Sequence, residues 1–326
     1  MVNENERERL NLPFVGIASF CKWPIALDPD ELEADVAVFG MPYDLSVQWR
    51  PGTKMGPRGI RVASCLYSMG LGGSYDPERD EVYMDPAVVR MVDAGDVDMV
   101  HGDPEQCLDN IEQFVGKLVK KNVLPVGMGG DHAVTIPFAK ALEPYGPFNV
   151  IQIDAHLDFC DHRSGVRYGQ GSPVRRLSEM DHVKQIWQIG IRGIGSSRRS
   201  DFEDARAYGS HIISPKQLRK IGIQNVINEM PEGENYFITF DIDGLDAILA
   251  HGTGTPSPGG LSYDEVNEIF EGVANRGNVV GFDLVEVSPA YDPSGVTCQT
   301  AARLMLDFIG FITKKREHEG RLLSQK

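Results

Sequence analysis

The chain has 326 residues, 41% of them hydrophobic, enough for a substantial core within one α/β unit. A formal net charge of -15 excludes the clustered positive surface that nucleic acid or an anionic membrane needs. Five scattered cysteines (Cys21, Cys65, Cys107, Cys160, Cys298), odd in number and without a CxxC pair, point to reduced thiols and a cytoplasmic protein. The opening MVNENERERL is charged and has no apolar h-region, so no signal peptide is expected; no apolar run is long enough to span a bilayer.

In chain order, short runs rich in Val, Ile and Phe predict strands. The first two are DVAVFG (35–40) and VVRMVDAG (88–95), followed by the helix-patterned PEQCLDNIEQFVGKLVKKN. NVLPVG (122–127), FNVIQID (148–154), KQIWQIGIR (184–192), SHIIS (210–214) and YFITFDID (236–243) come next. SYDEVNEIFEGVANRG then reads as a helix opened by a Ser cap, NVVGFDLVEV (278–287) as a strand, and TCQTAARLMLDFIGFITKKRE as the last helix. Several runs are continuously apolar, which suits parallel strands covered on both faces. No linker, repeat or low-complexity segment divides the chain, so residues 1–326 read as one domain, with 1–12 and 315–326 peripheral.

Four of these strands end in unusual polar groups. VLPVGMGGDH ends in Asp131 and His132; VIQIDAHLD in Asp154, His156 and Asp158; FITFDIDGLD in Asp241, Asp243 and Asp246; VGFDLVEVSP in Glu286. Along a strand, positions i and i+2 face the same way, so Asp154 converges with His156 and Asp241 with Asp243. Beyond the carboxyl ends of parallel strands lies the usual ligand crevice. Several carboxylates crowded there need a compensating charge. Two divalent cations match the four negative charges of Asp154, Asp158, Asp241 and Asp243, with His132 and His156 as neutral ligands. Carboxylates and imidazoles without thiolate suit Mn²⁺ and admit Ni²⁺, Co²⁺ or Zn²⁺. Two ions roughly 3.5–4 Å apart can acidify a shared water into a nucleophile. An isolated D-x-D or D-x-H is usually a solvated turn or helix cap; several together, each after an apolar strand, are a much stronger signal.

GMGGDH, DAHLD, FDIDGLD followed by GTGTPSPGGL, and LVEVSP, with GMPYD and RPGTKMGPRGIR near the start, resemble the ureohydrolase family of arginase and agmatinase. FVGIASFCKWP resembles the agmatinase and guanidino-acid hydrolase branch. The resemblance runs from about Phe14 to the final helix. It implies an arginase-like three-layer α/β/α sandwich with a central, mostly parallel eight-stranded sheet, assembled as trimers or hexamers. It also implies a binuclear manganese hydrolase that cleaves a C–N bond of a small cationic guanidino compound to release urea and an amine. By motif, His132 and Asp158 would be terminal ligands of one metal, His156 and Asp243 of the other, with Asp154 and Asp241 bridging. Asp158 would also act catalytically, Glu286 would face the guanidinium, and Thr253 would flank the substrate. RPGTKMGPRGIR reads as structural or interfacial, and Phe20, Trp23, Tyr43, Trp49 and Phe159 as candidate aromatic residues of the mouth.

Three departures stand out. Gln170, in YGQGSP, replaces the histidine of an HG(S/T)P context, and an amide cannot titrate near neutral pH. AILAHGTGTP puts Ala247 and His251 where proline is common. DFCDHRSGVRYGQG is rich in titratable groups, including His162. His251 or His162 would then replace the proton shuttle, with Gln170 and His162 as substrate contacts; against this, each histidine alone reads as an ordinary exposed loop residue. Three alternatives remain: a substituted guanidine, biguanide or formimino substrate; a poorly active subunit in a hetero-oligomer with a paralogue; and a single-metal deacetylase-like hydrolase, which leaves Asp241 plus Asp243 unexplained.

Overall fold

In the computed structural model, residues 14–68 and 73–325 are described. All eight predicted runs form strands of one sheet: β1 (Val36–Met41), β4 (Met91–Asp96), β5 (Leu124–Gly129), β6 (Phe148–Ile153), β7 (Val183–Ile189), β8 (His211–Ile213), β9 (Asn235–Asp241) and β10 (Asn278–Val285). The hairpin of β2 (Ser74–Asp76) and β3 (Glu81–Tyr83) escapes the sequence pattern because three-residue strands carry no readable period. The sheet is parallel throughout, in the order β4-β1-β5-β10-β9-β6-β7-β8.

Side chains alternate across the sheet into two cores. Val36 and Val38 enter one core while Ala37, Phe39 and Met41 enter the other. The first core is covered by α1 (Gly56–Ser64), α6 (Pro215–Ile221), α7 (Ile223–Glu229), α8 (Tyr263–Arg276) and α9 (Val296–His318). The second is covered by α2 (Pro104–Lys120), α3 (Thr135–Ala141), α4 (Pro173–Leu177) and α5 (Arg199–Tyr208). Helices on both faces explain why the strands read as continuously apolar. No helix among the described residues is long and apolar enough to cross a membrane. All five cysteines are buried and unpaired.

Within the C-terminal stretch, a few residues are tied to the body of the fold. Leu322 is buried, the Leu323 N–H donates to Asp35 Oδ1 (2.7 Å), and Arg316 Nη2 donates to Val279 O (3.1 Å). An apolar anchor and backbone hydrogen bonds hold this end beneath the amino ends of the strands. Residues 1–12 lie outside the described residues.

The RPGTKMGPRGIR segment serves the fold. Arg61, on α1, meets Asp93 with both arms of its guanidinium (Nε–Oδ2 2.8 Å, Nη2–Oδ1 2.9 Å) and also bonds Asp96 and the Gly95 carbonyl. Asp93 is buried and its Oδ2 also accepts from the Phe20 N–H, so α1, the Phe20 turn and β4 meet on one carboxylate. Removing the cation strands that charge. Arg61→Ala is expected to cost about 3–5 kcal/mol, read as a lower urea midpoint at unchanged m-value.

Candidate metal centre

The candidate ligands come from the carboxyl ends of four adjacent strands. His132 opens a 3-10 turn after β5; Asp154, His156 and Asp158 follow β6; Asp241 ends β9 and Asp243 sits in the turn after it; Glu286 follows β10. The strands end earlier than the sequence pattern implies, so simple alternation does not aim these side chains. Three aspartates instead fold back on their own chain. Asp131 Oδ1 accepts the Ala133 N–H (3.1 Å), Asp154 Oδ1 the His156 N–H (2.6 Å) and Asp241 Oδ1 the Asp243 N–H (2.9 Å). The same Asx turn thus ends three strands. Gly130 is required beside it, because a Cβ there would collide with the Tyr43 backbone.

Two groups of ligand atoms form: His132, Asp154 and Asp241, and Asp154, His156 and Asp243. Asp154 belongs to both. His132 Nδ1 lies 2.9 Å from Asp158 Oδ2, 3.2 Å from Asp154 Oδ2 and 3.5 Å from Asp241 Oδ2. Yet this buried nitrogen has no hydrogen-bond partner of acceptable geometry. Atoms that approach so closely without bonding to one another surround a common point. Ligands about 2.1 Å from one cation and at right angles are about 3 Å apart, so the donor set fits a divalent ion. His156 Nδ1 stands 3.1 Å from Asp243 Oδ2 and 3.5 Å from Asp154 Oδ1, the same spacing on the second side.

Electrostatics point the same way. Burial and the neighbouring Asp154 push Asp158 up to about 6, and burial with Asp243 and Asp154 drives Asp241 well above the carboxylate range. Asp243 raises His156 to about 12 against the effect of burial; burial would lower His132, but Asp154, Asp158 and Asp241 hold it well above the imidazole range. Without cations the cluster collects protons instead.

Behind the ligands runs an orienting layer that the sequence did not reveal. His132 Nε2 meets Thr239 Oγ1 (3.0 Å), Thr239 meets Thr135 (3.2 Å), and Thr135 donates to buried Asp283 (2.9 Å). With Nε2 engaged, Nδ1 is the nitrogen left for a metal. Gln152 Nε2 donates to Asp154 Oδ2 (2.7 Å) and is itself set by Gln188 (2.7 Å). Thr239 and Gln152 are neutral residues inside apolar strands, where only i+2 registry with Asp241 and Asp154 could have signalled them; Thr135 opens α3 and Asp283 lies within β10. Arg192 donates to the carbonyls of Asp243, Leu245 and Ser257, tying the end of β7 to the loop above the site.

A cleft of about 180 Å³ opens on the cluster, lined by His156, Asp158, Asp241 and Glu286 below and by Gln48, Trp49, Arg163, Gln170, Ser196 and Thr255 above. Glu286 is buried, takes the His132 N–H on Oε1 (2.8 Å), and holds a left-handed backbone (φ 67°), as does Asp158 (φ 51°). Non-glycine residues in that region cost about 1–3 kcal/mol each. Gln170 lines the cleft. Thr253 does not: its hydroxyl is buried and unpartnered, while Thr255 donates to Asp243 Oδ2 (3.0 Å) and faces the cleft. In a regular strand residues 253 and 255 would face the same way; here Thr253 forms an isolated bridge to Val287 and the chain bends at Gly254 and Thr255, which turns the two hydroxyls apart. His251 turns away to Asp292 (3.0 Å), and the ring of exposed His162 meets Asp161 (3.2 Å); neither lines the cleft. Of the aromatic candidates only Trp49 reaches the mouth; Phe20, Tyr43 and Phe159 are core, and Trp23 packs on Phe20.

The parallel sheet, the paired carboxylate–histidine groups and the cleft define a metal-dependent hydrolase. The Arginase family model matches residues 34–310, and the chain belongs to that family. It is 35% identical to an agmatinase of Bacillus subtilis (strain 168) over 291 residues, 88% of this chain and 96% of that one. It is 33% identical to a guanidinobutyrase of Pseudomonas aeruginosa over 307 residues, 91% and 92% of the two chains. The solved proclavaminate amidino hydrolase of Streptomyces clavuligerus superposes with a TM-score of 0.81 at 31% identity, covering 93% of this chain and 99% of that one.

His251's partner has a structural task. Asp292 caps α9, its Oδ2 accepting the Thr297 N–H (2.7 Å) and its Oδ1 bonding Ser294 and Gly295. Burial alone would raise it, but these bonds and His251 hold the carboxyl well below its usual range. Its stabilisation is therefore complete above the unfolded value of about 4 and is lost as pH falls toward the depressed folded value. Asp292→Asn should lower the urea midpoint at about pH 7 by an amount that stays constant down to about pH 5, and the gap from the parent should begin to narrow only below about pH 4.

Proposed function

We propose that the chain hydrolyses a guanidino compound: a water oxygen adds to the guanidinium carbon, the bond from that carbon to the substituted nitrogen breaks, and urea and an amine leave. One observation carries this: two ligand groups share buried Asp154 beneath a cleft that their His156 and Asp241, and also Glu286, line. The names of the agmatinase and guanidinobutyrase relatives support the substrate class.

His132, Asp154, Asp158 and Asp241 would hold one divalent cation, and Asp154, Asp241, His156 and Asp243 the other. Once bound, the two ions supply the charge that neutralises the aspartates and render a water molecule acidic near neutral pH. Manganese is the expected metal, with nickel also compatible with these donors.

The remaining work falls to the chain. A carboxylate opposite a planar cation forms directional charge-assisted bonds, so Glu286 orients the guanidinium. Thr255, anchored on Asp243, fixes the opposite wall. Gln170 can donate and accept but not titrate. With His251 and His162 outside the cleft, Asp158 is the group we assign to take up the proton of the attacking water and return it to the departing amine.

Mn²⁺- or Ni²⁺-reconstituted protein is expected to release urea and amine in equal amounts from members of a guanidine panel and to lose activity with chelator. No urea with either metal would overturn the reading. Thr239→Val, which removes the hydroxyl behind His132, should weaken metal binding by about 10–100-fold in titration calorimetry without altering the circular dichroism spectrum.

A further inference from the structure

We propose that the cleft selects a guanidino carboxylate, and that Arg163 holds the anionic end of the substrate. This rests on the hydrolase function proposed above and adds the tail chemistry. The carboxylates of the cleft, Asp158, Asp241 and Glu286, all belong to the ligand cluster or stand against it; the other groups above it are neutral except one. That one is Arg163.

Its surroundings are unlike those of its neighbours. Arg167, Arg175 and Arg176 each pair with acids among Asp161, Glu179 and Asp204. The Arg163 guanidinium meets neutral oxygens only, donating from Nη1 to Gln48 Oε1 (3.3 Å) and from Nη2 to Ser196 O (3.0 Å). Among the described residues no carboxylate neutralises it, in a chain of net charge -15. Its backbone is fixed as well. Arg163 and Val166 exchange both backbone hydrogen bonds (2.9 Å each) around Ser164 (φ 53°) and Gly165 (φ 83°), a two-residue hairpin turn with both central residues left-handed. Arg50 is instead stacked on Tyr291 (3.9 Å) and Trp49 (5.3 Å) and does not line the cleft.

The cleft is therefore polarised, with a guanidinium-accepting carboxylate at the floor and a fixed, unneutralised cation at the rim. A ligand positive at one end and negative at the other satisfies both. A ligand with a terminal ammonium, such as agmatine, sets like charge against Arg163. Arginine's planar fork also suits bidentate carboxylate recognition. Because Arg163 is solvent-accessible, its contribution is screened by salt.

The test compares 4-guanidinobutyrate, 3-guanidinopropionate and agmatine on the Mn²⁺-loaded protein, by steady-state kinetics and by titration calorimetry. The carboxylates should bind about tenfold more tightly than agmatine, and added salt should narrow the gap. Arg163→Ala should remove most of that preference through KM rather than kcat, Arg163→Glu should reverse it, and Arg163→Lys should keep part of it. Equal or tighter binding of agmatine, or a preference unchanged in both the Ala and Glu variants, would overturn the assignment. If no compound yields urea the hydrolase reading fails, while the calorimetric ranking still decides the role of Arg163; no binding heat from any compound overturns both.

Discussion

Mutual repulsion among buried carboxylates is the constraint around which this protein is arranged. Asp131, Asp154, Asp158, Asp241, Asp243, Asp283 and Glu286 are all buried at the carboxyl edge of one sheet. Like charges at such spacing cannot all ionise in a low-dielectric interior without something positive between them. Two solutions coexist. Asp131 and Asp283 stand outside the ligand groups and rely on donors: the N–H groups of Leu45, Ser46 and Ala133 for the first, the Thr135 hydroxyl for the second. The other aspartates point at shared space, which a hydrogen-bonded core would not leave.

Topology makes the crowding feasible. The four strands that deliver the ligands, β5, β10, β9 and β6, are neighbours in the sheet although their ligands span residues 132 to 286. Parallel pairing puts all their carboxyl ends on one edge, so residues remote in sequence meet without long loops. Rigidity comes from below: Phe270, Phe282 and Phe308 pack their rings together on one face, and Phe39, Phe138 and Phe237 on the other. The strained backbones of Asp158 and Glu286 persist because such a frame over-determines them.

Much of this was legible in the sequence, for physical reasons. Runs such as FNVIQID are apolar because both faces of a parallel strand are covered, and a polar cluster directly after such a run has few structural uses. Strand positions and candidate ligands could therefore be read directly. Orientation could not. Thr253 and Thr255 are the same residue two positions apart and would share a face in a regular strand; the bend at Gly254 and Thr255 decides which hydroxyl meets Asp243. His251 and His162 looked chemical because of their type; a cap residue, Asp292, and a neighbouring aspartate claim them instead. The Thr239–Thr135–Asp283 chain was silent because a buried strand threonine such as Thr239 is as common for propensity as for hydrogen bonding, and Thr135 reads as an ordinary residue at a helix start.

Gln170 bears on how protons move in this cleft. An imidazole at that place would titrate near neutrality; an amide holds both hydrogen-bond roles at every pH and carries no charge. With no histidine of the upper wall to share the task, any proton that crosses the cleft starts or ends on the carboxylates of the floor. Those carboxylates are the same ones whose affinity for protons depends on the charge placed between them. In the proposed reaction, nucleophile formation and departure of the amine would then be tied to a single electrostatic centre rather than divided between a metal site and an independent base. Such coupling makes the geometry of Asp158, strained and wedged against His132, the point where structural and chemical demands on this chain coincide.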